Sequence, residues 1–262
     1  MPNPINLTPG IHEIEPPFNY GPNYFNAWPG QPKKFFTYKP YRDIPRARAI
    51  ANAVGMNPGD RVLDFGCGLG AMTIAFNEAG YPTIGVDTSQ FAISNAFPAA
   101  RRNVKLLGGD LSLSDIPNDM FSLVFAKEVL EHLPEDNIHD ILDELICIGR
   151  KVVAIIPTTD QRGSFLFDQY NKDPTHITRL TQELWLGRFA YRTARNIKDI
   201  SDLISQEDKT LGTMCLLLEE SNREFREMRM MERVRAHTPM WRQLLGLPPR
   251  RFNLDFDSLL SR

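Results

Sequence analysis

Residues 62–70 read Val-Leu-Asp-Phe-Gly-Cys-Gly-Leu-Gly, an apolar strand that ends beside an acid and passes through a glycine-rich turn into a helical segment. Few folds accommodate that succession. Glycines at such a turn let the backbone approach a ligand, because any Cβ would occupy the ligand's space. Gly66, Gly68 and Ala71 also satisfy the loose G-x-G-x-x-A dinucleotide fingerprint, which favours a pyrophosphate at the helix N-terminus. Asp64 separates the two readings, since its carboxylate repels a pyrophosphate there and suits a ligand that presents an ammonium group.

The following segments extend this start into a sheet. Arg61 to Phe65, Thr83 to Val86, Val104 to Leu107, Leu123 to Ala126 and Val152 to Ile156 read as strands, separated by helical stretches such as Ala71 to Ala79 and Asn137 to Ile148. Alternation of this kind needs right-handed crossovers and gives a doubly wound, mostly parallel α/β sheet. A loop from Thr158 to Thr181 leads to a helix near Gln182 to Phe189 and to an apolar run, Met214 to Leu218, that completes the sheet. With 42% hydrophobic and 24% charged residues the chain suits a folded protein, and a net charge of -2 leaves no chain-wide positive field for nucleic acid. The scattered Cys67, Cys147 and Cys215 make neither a disulfide framework nor a thiolate metal cluster, and no apolar run is adequate for a membrane or a leader, so a cytoplasmic location is expected.

The flanks differ from this middle. Of the 20 prolines, 11 lie between Pro2 and Pro58, and residues 1–42 mix Pro, Gly, Asn and aromatics without a period. That pattern predicts an extended arm whose aromatics need a surface, and we expect it to act as a lid, with Tyr38 and Tyr41 beside the ligand. A helix pattern starts at Asp43 and stops at Gly55. The C-terminal flank is residues 219–262; within it Glu219 to Ala236 alternates Glu with Arg, and Phe225, Met228, Met231 and Val234 form one stripe. This predicts a helical extension packed on the domain of a monomer or against a second copy in a homodimer.

Further acids follow the strands. Asp87 ends the second one, 23 residues after Asp64, where an acid accepts ribose hydroxyl protons; capping the next helix is the competing role, which Thr88 or Ser89 also suits. After the third strand, Asp110 is placed to take an adenine amino group and Leu111 to cover its face, although a plain turn reads almost as well. Together with Phe121-Ser-Leu-Val-Phe-Ala-Lys-Glu-Val-Leu-Glu-His-Leu133, these motifs resemble the class I S-adenosylmethionine-dependent methyltransferases, in the expected order, over about residues 43–218.

The resemblance implies a seven-stranded sheet whose last strand runs antiparallel. It also implies that Asp64 with Gly66, Cys67, Gly68 and Gly70 holds the methionine end of S-adenosylmethionine. Asp87 and Thr88 would meet the ribose, Asp110 and Leu111 the adenine, and Ala126 and Lys127 the sulfonium side, with S-adenosylhomocysteine as product. Transfer of an activated methyl needs an aligned acceptor and, for a hydroxyl, a base. His132, Glu131 and the loop residue His176 are the catalytic candidates; ordinary structural roles weigh evenly against both histidines.

Glu128, Glu131, His132 and His176 also form an oxygen and nitrogen set suited to a divalent ion, similar to metal-dependent 2′-O-methyltransferases of small RNAs and partly to the ubiquinone-pathway O-methyltransferases. Against this, the same Glu-Val-Leu-Glu-His run occurs in metal-free members, and paired histidines are missing beside His176. The expectation is O-methylation of a small metabolite or sugar, without metal and without a nucleic-acid or membrane partner. The rivals are a metal-dependent RNA 2′-O-methyltransferase and a non-catalytic cofactor-binding scaffold.

Overall fold

The computed structural model describes residues 20–26, 36–109, 111–190, 195–203, 212–220, 227–228, 230–231, 233 and 256–261. A short helix α1 (Pro22–Asn26) precedes α2 (Pro40–Ala53), after which strands and helices alternate: β1 (Val62–Phe65), α3 (Ala71–Glu78), β2 (Thr83–Asp87), α4 (Gln90–Ser94), β3 (Val104–Leu106) and β4 (Leu123–Lys127). Then come α5 (Ile138–Ile148), β5 (Lys151–Pro157), α6 (Asp168–Asn171), α7 (Gln182–Ala190), β6 (Arg195–Asp199), β7 (Thr213–Glu220) and α8 (Phe256–Ser261).

The seven strands form one sheet in the order β3-β2-β1-β4-β5-β7-β6. Strands β1 to β5 are parallel, and β7 runs antiparallel to both β5 and β6. This is the doubly wound sheet with an antiparallel last strand that the sequence implies. Its central strands are apolar on both faces because helices cover both. Leu63, Val124, Val152 and Ala154 pack with Leu142 and Leu145 of α5 and Trp185 and Phe189 of α7, while Val62, Phe125 and Val153 pack with Ile50 of α2 and Phe76 of α3. Register fixes the site: Phe65 pairs with Ala126 and Lys127 with Ile155, so the glycine turn after β1 and the residues after β4 leave the same edge of the sheet.

Two elements depart from the expectations. Arg195–Asp199 has only Ile197 as an apolar residue and carries no strand signal, yet it forms β6; an edge strand paired on one side can be polar. Helix α2 starts at Pro40, before Asp43, with Pro in the first turn where its missing N–H costs nothing. In the tail, Phe225 and Val234 of the expected stripe lie outside the described residues, and Met228 and Met231 are exposed. Arg233 is buried against the domain, bonding Glu144 Oε2 at 2.7 Å, the Ile116 carbonyl at 3.0 Å and Asn118 Oδ1 at 2.7 Å. Among the described residues, no helix is long and apolar enough to cross a membrane.

Candidate active site

The glycine turn is tied to its neighbours by backbone bonds. Gly66 and Cys67 donate their N–H groups to the Val86 carbonyl at 2.8 and 3.0 Å, and Gly68 N–H donates to Asp87 Oδ2 at 2.8 Å. The other Asp87 oxygen accepts from Ser89 N–H at 2.8 Å, so Asp87 braces the turn and retains acceptor capacity for a ligand hydroxyl. Ser89 is the cap of α4, accepting from Ala92 N–H at 3.0 Å, which leaves Asp87 free of that role; Thr88 is exposed. Gly68 sits at φ +53°, and a Cβ there would meet only Phe25 Cε1, at 3.6 Å. The open space beside Gly68 is a cradle of the kind a cofactor's extended chain fills.

Asp64 lies beneath this turn, almost wholly buried, and accepts from Thr73 Oγ1 at 2.7 Å. Burial pushes its carboxyl up to about 7, against the Thr73 hydrogen bonds. Burial also raises the Asp87 carboxyl, opposed by the Ser89, Gly68 and Thr88 amides. Leu111 is packed in the apolar core, with 3% of its surface exposed, and Asp110 falls outside the described residues.

Past β4 the chain turns inward. Ala126 is buried and Lys127 half-buried, and Glu128 takes φ +54°, a left-handed conformation uncommon for a residue with a side chain. The Glu128 carboxylate pairs with Lys127 and accepts from Tyr170 Oη at 3.0 Å. The tight turn Leu130–His132 then carries Glu131 and His132 into the interior. Glu131 is fully buried, and neither of its carboxyl oxygens has a hydrogen-bond partner.

Two imidazoles face that carboxyl. His132 Nε2 lies 3.9 Å and His176 Nε2 4.0 Å from Glu131 Oε1, with ring centroids 4.7 Å apart. Their Nδ1 atoms are engaged elsewhere: His132 with the Thr175 carbonyl at 3.1 Å and Thr175 Oγ1 at 3.0 Å, His176 with the Tyr170 carbonyl at 3.1 Å. Burial lowers both imidazoles to about 4, and for His132 the neighbouring His176 adds to it. Glu131 is raised well above the ordinary carboxyl range by burial and then by Glu128. At neutral pH the cluster therefore holds two uncharged imidazoles around a desolvated carboxyl.

Glu131, His132 and His176 can each offer a ligand atom, the three lying within 4.8 Å of one another. Glu128, expected as a fourth member, is committed to Lys127 and Tyr170 and lies outside that set. The arm reaches the site, but by other residues than expected. Tyr38 bonds Glu78 at the far end of α3 and Tyr41 is 78% exposed on α2, which corrects their assignment to the ligand. Instead, Tyr20 and Tyr24 meet His132 edge-on with centroids at 5.7 and 6.2 Å, Phe25 stacks on Phe91 at 5.8 Å, and Ser89 Oγ donates to the Tyr20 carbonyl at 2.5 Å. Asp173, Thr175 and Tyr170 also escaped the sequence reading; only Asp-Pro-Thr-His at 173–176, a loop-ordering pattern, marked their neighbourhood.

A family profile described as "Methyltransferase domain" matches residues 62–150. The mitochondrial ubiquinone biosynthesis O-methyltransferase of Schizosaccharomyces pombe is 29% identical over 109 residues, 38% of this chain and 39% of that protein. The ubiquinone biosynthesis O-methyltransferase of Rhodopseudomonas palustris (strain BisB18) is 32% identical over 100 residues, 36% of this chain and 39% of that protein. The matches thus span about two fifths of these relatives. Among solved structures, a SAM-dependent methyltransferase from Archaeoglobus fulgidus superposes with a TM-score of 0.49 at 18% identity, covering 67% of this chain and 92% of that one.

Proposed function

Residues 62–150 being a methyltransferase domain of the class I S-adenosylmethionine-dependent family, we propose that this chain methylates a hydroxyl of a small molecule at the cluster of Glu131, His132 and His176. Bound S-adenosylmethionine supplies a methyl already activated on a sulfonium centre, and what remains for the protein is alignment and removal of a proton. Asp64 and the turn from Gly66 to Gly70 would hold the methionine end, Asp87 the ribose, and Ala126 and Lys127 the side toward the acceptor. Tyr20, Tyr24 and Phe25 roof the space between the glycine turn and the two histidines, which suits a small acceptor closed off from water.

The observation that carries the reading is the pair of Nε2 atoms held 3.6–4.0 Å from the Glu131 and Asp173 carboxyls, while each Nδ1 is engaged elsewhere. An imidazole whose Nδ1 is engaged as a donor and which stays neutral to about pH 4 is ready to accept a hydroxyl proton at neutral pH. The test is labelled methyl transfer from S-adenosylmethionine to a panel of small hydroxylated acceptors. Transfer to oxygen that falls at least 100-fold in His132→Gln or His176→Gln supports it. Transfer to nitrogen or carbon alone, or to none of the panel, rejects it.

A second reading follows from the unpartnered Glu131 carboxyl. A buried carboxyl with no hydrogen bond, faced by two Nε2 lone pairs, fits a divalent ion. Glu131, His132 and His176 would hold the ion, which would supply Lewis acidity to the acceptor hydroxyl. Activity that survives exhaustive chelation, with no metal in the protein by elemental analysis, selects the metal-free version.

A further inference from the structure

We infer that Asp173 and Thr175 are positioning residues that lock His132 in a single tautomer, with the proton on Nδ1 and the lone pair of Nε2 turned to the site. The inference rests on the proposed O-methyl transfer for its purpose, but its geometry stands apart from it. Thr175 Oγ1 donates to Asp173 Oδ1 at 2.5 Å, and the same Asp173 oxygen takes the Thr175 N–H at 2.8 Å. Because that hydroxyl spends its single proton on Asp173, it can only accept from His132 Nδ1, 3.0 Å away. The Thr175 carbonyl, 3.1 Å from the same nitrogen, can only accept as well. Two acceptors converge on Nδ1, and neither tolerates a lone pair there. Nδ1 therefore carries the hydrogen.

Asp173 is the hub of this arrangement. It is 3% exposed, its Oδ1 fixes Thr175, and its Oδ2 lies 3.6 Å from His176 Nε2. If the Asp173 carboxylate is replaced, the Thr175 hydroxyl is free to rotate and donate toward His132 Nδ1, which would move the imidazole proton to Nε2 and cancel the free lone pair. His176 has its own anchor, the Tyr170 carbonyl, and does not depend on Thr175. That difference gives an internal control. Ring orientation by a partner on the remote nitrogen is worth roughly 10- to 100-fold where imidazoles act as ligands, and a comparable loss is expected for a base.

The experiment is nitrogen-15 NMR of the histidine ring nitrogens in the full chain, whose five histidines can be assigned by substitution. Neither an acceptor nor a metal is needed. In the wild type, His132 and His176 should both show the Nδ1–H form at pH 7. In Thr175→Val, which leaves one of the two acceptors, His132 should become a mixture of forms while His176 keeps its signature, and Thr175→Ser should restore His132; in Asp173→Ala, which frees the Thr175 hydroxyl to donate, His132 should move to the Nε2–H form. A His132 that stays fully in the Nδ1–H form in both variants overturns the inference, since the carbonyl alone would then suffice. Joint loss of both signatures overturns it too, as the mark of a loop that has only collapsed. Failure of methyl transfer in the acceptor panel would reject the proposed function while leaving this spectroscopic result intact.

Discussion

The imidazole of His176 meets that of His132 at 63° between ring planes, and the two Nε2 atoms converge on one oxygen of Glu131. Neither ring touches the glycine turn in sequence; one follows β4 and the other lies in the loop after β5. Replacing either Nε2 lone pair should therefore abolish chemistry without disturbing the cofactor. For His132→Gln we expect at least a 100-fold fall in methyl transfer with S-adenosylhomocysteine affinity changed less than twofold, read by calorimetry beside activity. Equal losses of affinity and rate would place His132 in the cofactor site instead.

Cofactor binding should release a proton. Up to about pH 7 the Asp64 carboxyl is held in its protonated form by burial, whereas an ammonium group beside it favours the carboxylate. Affinity for S-adenosylhomocysteine should thus rise by up to tenfold per pH unit below about 7 and then level off. Titrations at pH 6 in two buffers of different ionisation heat would count the proton. Asp64→Asn should bind more weakly and lose this dependence, and a proton count of zero in the wild type would discard the assignment of Asp64 to the ammonium.

Stability without ligand should carry two opposed contributions across about pH 4 to 7. The unfolded chain protonates each imidazole near 6.5, while the fold holds His132 and His176 near 4, so the unfolded state binds more protons between those values. Their contribution is complete above about 6.5 and is lost as pH drops toward 4. Asp64 has the opposite sign: raised from 3.8 to about 7, it favours the fold fully below about 4 and loses that contribution as pH climbs to 7. Urea unfolding across this range should show His176→Gln reducing the rise of stability between about pH 4 and 6.5 and Asp64→Asn steepening it; unchanged slopes in both variants would refute the scheme.

The arm is testable through one ring. Phe25 lies over Gly68 and stacks on Phe91, so Phe25→Ala should weaken S-adenosylhomocysteine by about 1 kcal/mol, roughly fivefold in Kd. Tyr41→Ala, on an exposed residue of α2, serves as the negative control. Equal effects from the two substitutions would remove the lid from consideration.

The sheet was legible because its strands are buried on both sides and therefore announce themselves as apolar runs bounded by turns, as at Val62–Phe65 and Lys151–Pro157. Arg195–Asp199 was not, since an edge strand gains its place from pairing with β7 rather than from its own side chains. In the site, Glu131 and His132 were visible as neighbours in sequence, and His176 as a loop histidine. What no pattern encodes is that Thr175 and Asp173 reach back across 43 and 41 positions to orient and order one imidazole, or that Tyr20 instead of Tyr38 touches it. Such contacts depend on how a loop and an arm fold over a finished sheet, and short-range periodicity carries no record of that.

The reversal of β7 has a practical reach. Because this strand runs against its neighbours, Glu219 pairs with Lys151 at the start of β5, and the chain is delivered to the edge where the parallel strands begin. Phe256 accordingly rests against Phe121, just ahead of β4, and under the Arg61 guanidinium, just ahead of β1. The edge that bears the glycine turn and helix α8 are thereby kept at opposite ends of the strands. A label placed on α8 is carried away from the glycine turn, whereas one placed beside Tyr20 is drawn toward it.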